Sequence, residues 1–197
     1  VEIVRIGTRA PVTMPQRITA GLCTALRRHH PLWINTHFNH PREVTPEAAL
    51  ACDRLLRAGM PVNNQAVLLH GVNDTAEVQT RLCQALLKIK VRPYYLFQCD
   101  EVRGTEHLRT PVETGIKVIE AMQGYTSGLA IPTFVVDLPH GGGKVPLQPE
   151  YVVLRTAEEL LMRNYEGRLF HYRNPKTPKS ATARSGGHNG RRNGNAR

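Results

Sequence analysis

Cysteine is scarce in this sequence, and no two cysteines lie close together. Cys23, Cys52, Cys83 and Cys99 are separated by 29, 31 and 16 positions, so the chain has neither a paired-cysteine zinc pattern nor a C-x-x-C redox motif. We therefore predict no metal ligands in it. Isolated cysteines within helix or strand patterns behave as small apolar residues, and these four are predicted to be buried thiols in a reducing compartment.

Long apolar runs are also missing. No stretch of about 18 consecutive apolar residues occurs, which excludes a membrane-spanning helix. The chain begins at Val1 without a charged and then apolar leader, so we expect no secretory signal and a cytoplasmic location. It also begins without methionine, which indicates a processed chain or a fragment. With 197 residues, 41% of them hydrophobic, the chain can form one sizeable core.

Acidic residues are absent from the last part of the chain. Residues 173–197 contain seven of the 26 Lys and Arg residues and no acid, whereas residues 1–172 have 19 basic and 16 acidic side chains. The Gly-, Asn- and Ser-rich composition predicts a disordered tail over 173–197. Such an arm can contact phosphates nonspecifically. No aromatic residue follows Tyr172, however, and the remainder is nearly balanced in charge, which argues against nucleic acid as the main partner.

What the chain does contain is a repeat of strand and helix patterns. Apolar, β-branched segments recur about every 30 residues and alternate with amphipathic helical patterns. Near-continuous apolar strands in this alternation are typical of a parallel sheet covered by helices. We therefore predict an α/β fold over residues 1–172. The predicted strands are 1–7, 32–38, 62–71, 91–99 and 132–138.

Four helices are predicted between these strands. The first has an apolar face over residues 18–26. Thr45 as N-cap and Pro46 at the first helical position begin the second, and Asp74 begins the third. The fourth is predicted to open with a capping box over residues 110–113.

Polar residues lie within the predicted strands or close to their carboxyl ends. Ligands bind at that end of the strands in α/β barrels and in open α/β sheets. Polar residues at several successive strand ends therefore predict one binding site. Those residues are Arg5, Asn35, His37, Asn39, Gln65, Asp100 and Asp137.

Two of these residues, His37 and Gln65, point from strands where a core would prefer apolar side chains. Each is either a ligand of the site or a hydrogen-bonded buried residue. The aromatic residues of the same strands are predicted to belong to the core, with Tyr94 or Tyr95 as an alternative pocket wall. These aromatic residues are Trp33, Tyr94, Tyr95 and Phe97.

The segment VVDLPHGGGK, residues 135–144, presents a lysine next to three glycines. A phosphate-binding P-loop requires Gly, four residues, Gly-Lys and then Ser or Thr. Here Leu138 and Val145 occupy the first and last required positions, so a P-loop is excluded. Lys144 is then either a solvated loop lysine or an amine that forms a Schiff base with an aldehyde cofactor such as pyridoxal phosphate.

Asp100 and Asp137 end two successive predicted strands, which places both carboxylates at one edge of a parallel sheet. They could share a proton as an acid–base pair, or they could form an anionic clamp for a cationic substrate. A structural role as helix caps or as partners of Arg103 and Arg109 is equally consistent with the sequence.

Several segments occur in one order along the chain: VRIGTRAPV, LWINTHFNH, VNNQAVLLHGVND, KVRPYY-x-x-QCD, TSGLAIPTFVVDLPHGGGKVPLQP-x-YV and RNYEG. Their combination, from Val1 to Tyr172, resembles the lysine 2,3-aminomutase family of radical S-adenosylmethionine (SAM) enzymes. The resemblance covers only the C-terminal half of such a protein, and it implies part of a radical-SAM-type partial (β/α) barrel.

The resemblance also implies roles for individual residues. Lys144 is expected to form the internal aldimine with pyridoxal 5′-phosphate. Asp100 and Asp137 are expected to hold the side-chain ammonium of substrate lysine. A related mutase that acts on glutamate lacks this acidic pair, in keeping with charge complementarity. Gln65 and His37 fall at positions near the cofactor and SAM.

The implied reaction is an isomerisation that moves the α-amino group of lysine to the β-carbon and gives β-lysine. A [4Fe-4S] cluster cleaves SAM to start the radical, and this cluster requires C-x-x-x-C-x-x-C. No two cysteines here are closer than 16 positions, so we expect the chain to be inactive by itself. The full-length protein is expected to act as a homo-oligomer. Some relatives carry a structural zinc, but Thr75 replaces one of its cysteines, and no zinc is expected here.

Two alternatives remain open at this point. The full-length protein could be an aminomutase for arginine or for a modified lysine. In a different class, the chain could be a non-catalytic module whose basic tail binds nucleic acid, in a strongly salt-dependent manner.

Overall fold

The computed structural model describes residues 1–176 and contains two β-sheets. The strands of the larger sheet are β1 (Val4–Gly7), β2 (Leu32–Thr36), β3 (Val62–Leu68), β4 (Arg92–Gln98), β5 (Thr133–Leu138) and β6 (Gly143–Pro146). They lie side by side in chain order. Neighbours from β1 to β5 pair in parallel, whereas β6 pairs antiparallel with β5. All five predicted strands are confirmed, each shorter by one to three residues.

Helices follow the parallel strands and pack on one face of the larger sheet. The α-helices are α1 (Ala10–Thr13), α2 (Ala20–Arg27), α3 (Pro46–Arg57), α4 (Ala76–Lys88) and α5 (Val112–Met122). Short 3-10 helices lie at Pro15–Arg17, Pro41–Glu43, Glu106–Leu108, Gly128–Ala130 and Pro139–Gly141. The predicted parallel sheet with alternating helices is confirmed.

The core lies between this sheet and its helices. Successive strand residues point to opposite faces, so β3 alternates strictly between buried and partly exposed residues. Burial of large apolar side chains is the main favourable contribution to folding. The fully buried residues of this layer include Leu32, Ile34, Leu68, Leu96 and Phe134 from strands, with Leu55, Leu82, Leu86, Ile119 and Met122 from helices.

The opposite face of the sheet corrects one prediction. Trp33 is 40% exposed, and Tyr94, Tyr95 and Phe97 are only partly buried, so these aromatic residues do not form a closed core in the described part of the chain. The register of β3 and β4 shifts between Asn64, which pairs with Pro93, and Gln65, which pairs with Tyr95, so Tyr94 is an extra residue on β4. The sheet face that carries the four aromatic residues is called the open face below.

Helix starts agree with the sequence in one case and differ in two. The Thr45 side chain accepts a hydrogen bond from the Ala48 amide and caps α3 as predicted. Helix α4 is capped by Thr75 rather than Asp74. The capping box predicted for α5 is wrong, because Pro111 has an extended ψ of 147° and precedes the helix. The Thr110 carbonyl instead accepts a hydrogen bond from Gln98 at 2.7 Å.

The smaller sheet was not foreseen in the sequence patterns. It is an antiparallel meander of β7 (Val152–Arg155), β8 (Glu159–Arg163) and β9 (Leu169–Arg173). Its turn residue Tyr165 packs on Gly124, where an added Cβ would lie 2.3 Å from the Tyr165 ring. Arg163 also pairs with Glu120 of α5 at 2.7 Å. The meander is thereby fixed to the end of α5.

All four cysteines are buried free thiols, as predicted. Burial raises the pKa of Cys52 and of Cys83 to about 12, so both stay protonated and unreactive at neutral pH. No helix in residues 1–176 is long and apolar enough to cross a membrane. Of the tail predicted over 173–197, Arg173 ends β9, and residues 177–197 lie outside the described residues.

Gly115 provides a test of how tightly α5 packs on the sheet. A Cβ at this position would lie 2.2 Å from the ring of fully buried Phe134. We expect Gly115→Ala to lower the free energy of unfolding by about 1–2 kcal/mol, because overpacking outweighs the gain in helix propensity. Urea denaturation measures the change. Gly128→Ala is the matched control, since nothing lies within 4 Å of its added Cβ; an equal effect of both changes would contradict the prediction.

Candidate functional site

Two carboxylates meet at the carboxyl ends of β4 and β5. Asp137 lies within β5, and Asp100 follows the last residue of β4 by two positions. Both line one cavity of about 320 Å³, which also includes Gln98, Glu101 and Arg109. The structure therefore brings together the two acids that the sequence placed at successive strand ends.

Lys144 belongs to the same cluster through the antiparallel pairing of β6. In the β5–β6 register, Lys144 stands directly opposite Asp137, and its ammonium forms an ion pair with the Asp137 carboxylate. The same ammonium lies 4.0 Å from the ring centre of Phe97 and 5.4 Å from that of Tyr95. Aromatic faces attract cations at these distances, so carboxylate and rings together form a subsite for an alkylammonium group.

The glycine-rich segment makes the tight connection that reverses the chain between β5 and β6. Gly141 and Gly143 have φ values of 79° and 84°, and His140 has a φ of 56°. Glycine adopts this left-handed region without steric cost, so the sequence can turn back within a few residues. Nothing lies within 4 Å of a Cβ added at Gly141 or Gly143, which leaves open space beside Lys144.

Asp100 differs from Asp137 in the contacts of its carboxylate. Its backbone carbonyl accepts a hydrogen bond from the Thr105 hydroxyl at 3.2 Å. Within residues 1–176 its side chain forms no ion pair, and Arg109 approaches Glu101 instead, at 3.9 Å. Neither of the structural roles considered for Asp100, as a cap or as an arginine partner, is present in the part of the chain that the structure describes. The residue is exposed and open to a ligand.

Gln65 and His37 lie on the neighbouring strands. Gln65 pairs in register with Tyr95, which places it on the open face, one strand away from the aromatic rings beside Lys144. His37 follows β2 and is half-buried; burial, with a smaller contribution from Arg9, lowers its pKa. Its imidazole is therefore neutral at physiological pH. The structure places both residues at the site's side of the sheet without a direct contact to Lys144.

Asn39, another polar residue predicted at a strand end, belongs to a structural network with Asn64 and Asn73, which were not predicted as site residues. The Asn73 side chain bonds Leu69 N at 2.7 Å, and Asn39 O and Val67 O at 2.8 Å each. The Asn64 side chain bonds both backbone groups of Phe38. These amides fix the loops after β2 and β3, because buried backbone groups need partners. Asn39 accepts from Val67 N at 2.9 Å and so belongs to this network.

Phe97 is the site residue that sequence reasoning missed. Its position two residues after Tyr95 on one strand puts both rings on the same face, and this spacing was the available signal. An aromatic strand residue looks like core in the sequence, whereas the structure shows that the helices of residues 1–176 cover the sheet on one face only. Within residues 1–176, no three His, Cys, Asp or Glu side chains are grouped closely enough to hold a metal ion.

Comparison with known proteins identifies the family. A family model described as Lysine-2,3-aminomutase matches residues 119–190. The L-lysine 2,3-aminomutase of Fusobacterium nucleatum is 54% identical over 176 residues, which are 89% of this chain and 41% of that protein. That of Clostridium subterminale is 54% identical over 175 residues, 89% of the chain and 42% of the protein. The chain belongs to the lysine 2,3-aminomutase family.

The family includes more than one substrate. The Glutamate 2,3-aminomutase of Clostridioides difficile is 52% identical over 169 residues, 86% of this chain and 40% of that protein. This identity is close to that of the lysine enzymes, so overall sequence similarity does not distinguish lysine from glutamate as the substrate. That distinction depends on the residues of the site. The chain spans about 40% of the length of these relatives.

The fold has a relative among solved structures. A radical SAM methyltransferase from Sphaerobacter thermophilus superimposes with a TM-score of 0.50 at 16% identity, over 68% of this chain and 40% of that one. At this identity the likeness concerns the fold alone. It confirms the expected radical-SAM-type partial (β/α) barrel, with a curled parallel sheet and helices on one face.

Proposed function

We propose that the full-length protein containing this chain is an aminomutase that moves the α-amino group of lysine to the β-carbon and gives β-lysine. Family membership supports the aminomutase reaction. The choice of lysine rests on one observation, the position of Asp100 and Asp137 on a single cavity. Two carboxylates attract the side-chain ammonium of lysine and repel the side-chain carboxylate of glutamate.

Geometry and charge also support a site in which three groups would contact that ammonium, namely the carboxylates of Asp100 and Asp137 and the ring of Phe97. Within the described residues the Asp100 carboxylate has no ion-pair partner, and the Asp137 carboxylate already holds an alkylammonium, that of Lys144. The ring of Phe97 covers the same cation. Each charge-assisted hydrogen bond to a substrate cation contributes about 1.5–3 kcal/mol, and the aromatic face adds about 0.5–2 kcal/mol. These contacts would orient the lysine chain with its α-amino end directed away from the acids.

The residues around Lys144 fit pyridoxal phosphate. The Lys144 side chain is 33% exposed, so its amine can be reached, and the open backbone at Gly141 and Gly143 permits close approach of a planar ligand. The ring of Tyr95, beside that of Phe97, offers an apolar face against which an aromatic ring can pack. Lys144 would hold the cofactor through its amine, while Gln65 and His37 would lie toward the cofactor and SAM.

In this proposal the cofactors supply the radical chemistry and the protein supplies position. Pyridoxal phosphate, SAM and a [4Fe-4S] cluster would together generate and stabilise the radical when bound. The cluster cysteines must come from outside this chain, since its four cysteines are at least 16 positions apart. We accordingly propose that the chain alone is inactive.

The test is made on the anaerobically prepared full-length protein with its cofactors and a reductant. We expect it to convert lysine with a kcat/KM at least about a hundredfold above that for glutamate, the factor that two charge contacts provide, and arginine should compete poorly. Borohydride reduction with pyridoxal phosphate, followed by peptide mapping, should label Lys144. A label on Lys88 or Lys117, or preferred turnover of glutamate, would disprove the proposal.

A further inference from the structure

We propose that Lys144 occupies the substrate-ammonium site of the cofactor-free protein, so that attachment of the cofactor opens this site. The inference rests on the proposed function, because it takes Asp137 as a binder of the substrate cation. It assigns Lys144 a second role, as an internal competitor of the substrate before the cofactor is bound.

The contact that carries the inference joins two groups of matching chemistry. The side chain of Lys144 ends in a primary ammonium on a four-carbon chain, as does that of free lysine. This ammonium is paired with Asp137 and lies 4.0 Å from the Phe97 ring centre. The same cation-binding contacts proposed for the substrate are therefore already made by a residue of the chain.

The backbone makes this occupation the default arrangement. Asp137 and Lys144 are direct cross-strand partners, and cross-strand side chains of opposite charge lie close enough to interact. The Lys144 ammonium needs no loop movement to reach the carboxylate. A free lysine must compete with a partner that is permanently nearby, which gives Lys144 the advantage of a high effective concentration.

Asp100 makes the competition partial rather than complete. Its carboxylate is free in residues 1–176, so a substrate cation can still contact one acid. It loses the Asp137 contact and meets the positive charge of Lys144. Loss of one charge-assisted hydrogen bond weakens binding by a factor of about 10 to 100. Cofactor-free protein is therefore expected to bind lysine weakly but measurably.

Attachment of the cofactor ends the competition. The Lys144 nitrogen bonds to the aldehyde carbon of pyridoxal phosphate, and the aldehyde oxygen leaves as water with two of the three ammonium hydrogens. The nitrogen keeps one N–H and is now held at the cofactor carbon. Asp137 is then left without its internal partner and can accept the substrate ammonium. Binding in the productive order, cofactor before substrate, follows from this arrangement.

The experiment measures lysine binding to full-length, cofactor-free protein by isothermal titration calorimetry. We expect Lys144→Met to bind lysine at least about tenfold more tightly than the wild type, because it frees Asp137. Lys117→Met removes an exposed lysine from α5 and controls for net charge, so it should leave the affinity unchanged. Norleucine, which lacks the side-chain ammonium, should gain nothing from Lys144→Met.

A second variant links the gain to Asp137. In the Lys144→Met, Asp137→Asn double variant the tenfold gain should disappear, since the carboxylate that was freed is absent. Equal affinity of wild type and Lys144→Met for lysine, or an equal gain with Lys117→Met or for norleucine, would overturn the inference. Those results would leave the proposed function standing, because that is decided separately by the labelled lysine and by the ratio of lysine to glutamate turnover.

Discussion

Replacing both Asp100 and Asp137 with asparagine should lower kcat/KM for lysine by about 10²- to 10⁴-fold in the full-length enzyme. Each charge-assisted contact is worth about 1.5–3 kcal/mol, and every 1.4 kcal/mol corresponds to about a factor of ten. Each single change should account for about one to two powers of ten. Asparagine has nearly the same size as aspartate, so the loss of kcat/KM measures the contribution of the negative charges. Steady-state kinetics with lysine and glutamate measures it.

The direction of the change for glutamate makes this prediction specific. Removal of two negative charges relieves repulsion of a second carboxylate, so the preference for lysine over glutamate should fall. Asp53→Asn is the matched control, because Asp53 pairs with Arg57 on the exposed face of α3 at 2.6 Å, where an ion pair contributes little. Unchanged lysine kinetics in the double variant would show that the substrate cation binds elsewhere.

Asn73→Ala should lower the free energy of unfolding by about 2–4 kcal/mol. Its fully buried side chain serves three backbone groups, Leu69 N, Asn39 O and Val67 O. Alanine leaves them without partners, and each unsatisfied buried group costs about 1–3 kcal/mol where water cannot replace the lost contact. We expect water to reach part of these loops, so the total loss of stability is smaller than three times the cost of one unsatisfied buried group. Urea denaturation followed by circular dichroism measures the loss.

The control for this prediction is another asparagine of the same sheet. Asn63 makes one side-chain hydrogen bond, to Asn35 at 3.3 Å, and is only partly buried. Asn63→Ala should cost less than about 1 kcal/mol, the ordinary net value of one hydrogen bond. If the two variants were equally stable, the amide network would not be what fixes the loops after β2 and β3.

The fold was predictable where local signals and burial agree. The five parallel strands are visible in the sequence as apolar runs, and Thr45 followed by Pro46 indicates the start of α3. The capping box predicted for α5 failed because Pro111 has an extended ψ of 147° and precedes the helix. The Thr110 carbonyl accepts a long-range hydrogen bond from Gln98, which no local pattern contains. The meander of β7 to β9 was missed because its strands are short and largely exposed, and they lack the apolar continuity of the central sheet.

The candidate site was predictable in its members but only partly in its arrangement. Residue order put Asp100 and Asp137 at successive strand ends, and parallel pairing of β4 with β5 brings such ends together. The same reasoning wrongly grouped Asn39 with the ligands, although it serves the backbone of Val67. An amide at a strand end looks the same in sequence whether it faces a ligand or a loop.

By itself, the sequence determined the alternation of strands and helices, the two acids at the strand ends and the lysine after the glycines. These are properties of composition and spacing along the chain. Only the tertiary structure decided that the aromatic residues lie on the sheet face opposite the helices of residues 1–176, that Phe97 lies under the Lys144 ammonium, and that Lys144 is paired with Asp137. The reason is physical: β6 turns back antiparallel to β5, and this pairing joins residues whose interaction depends on the cross-strand register.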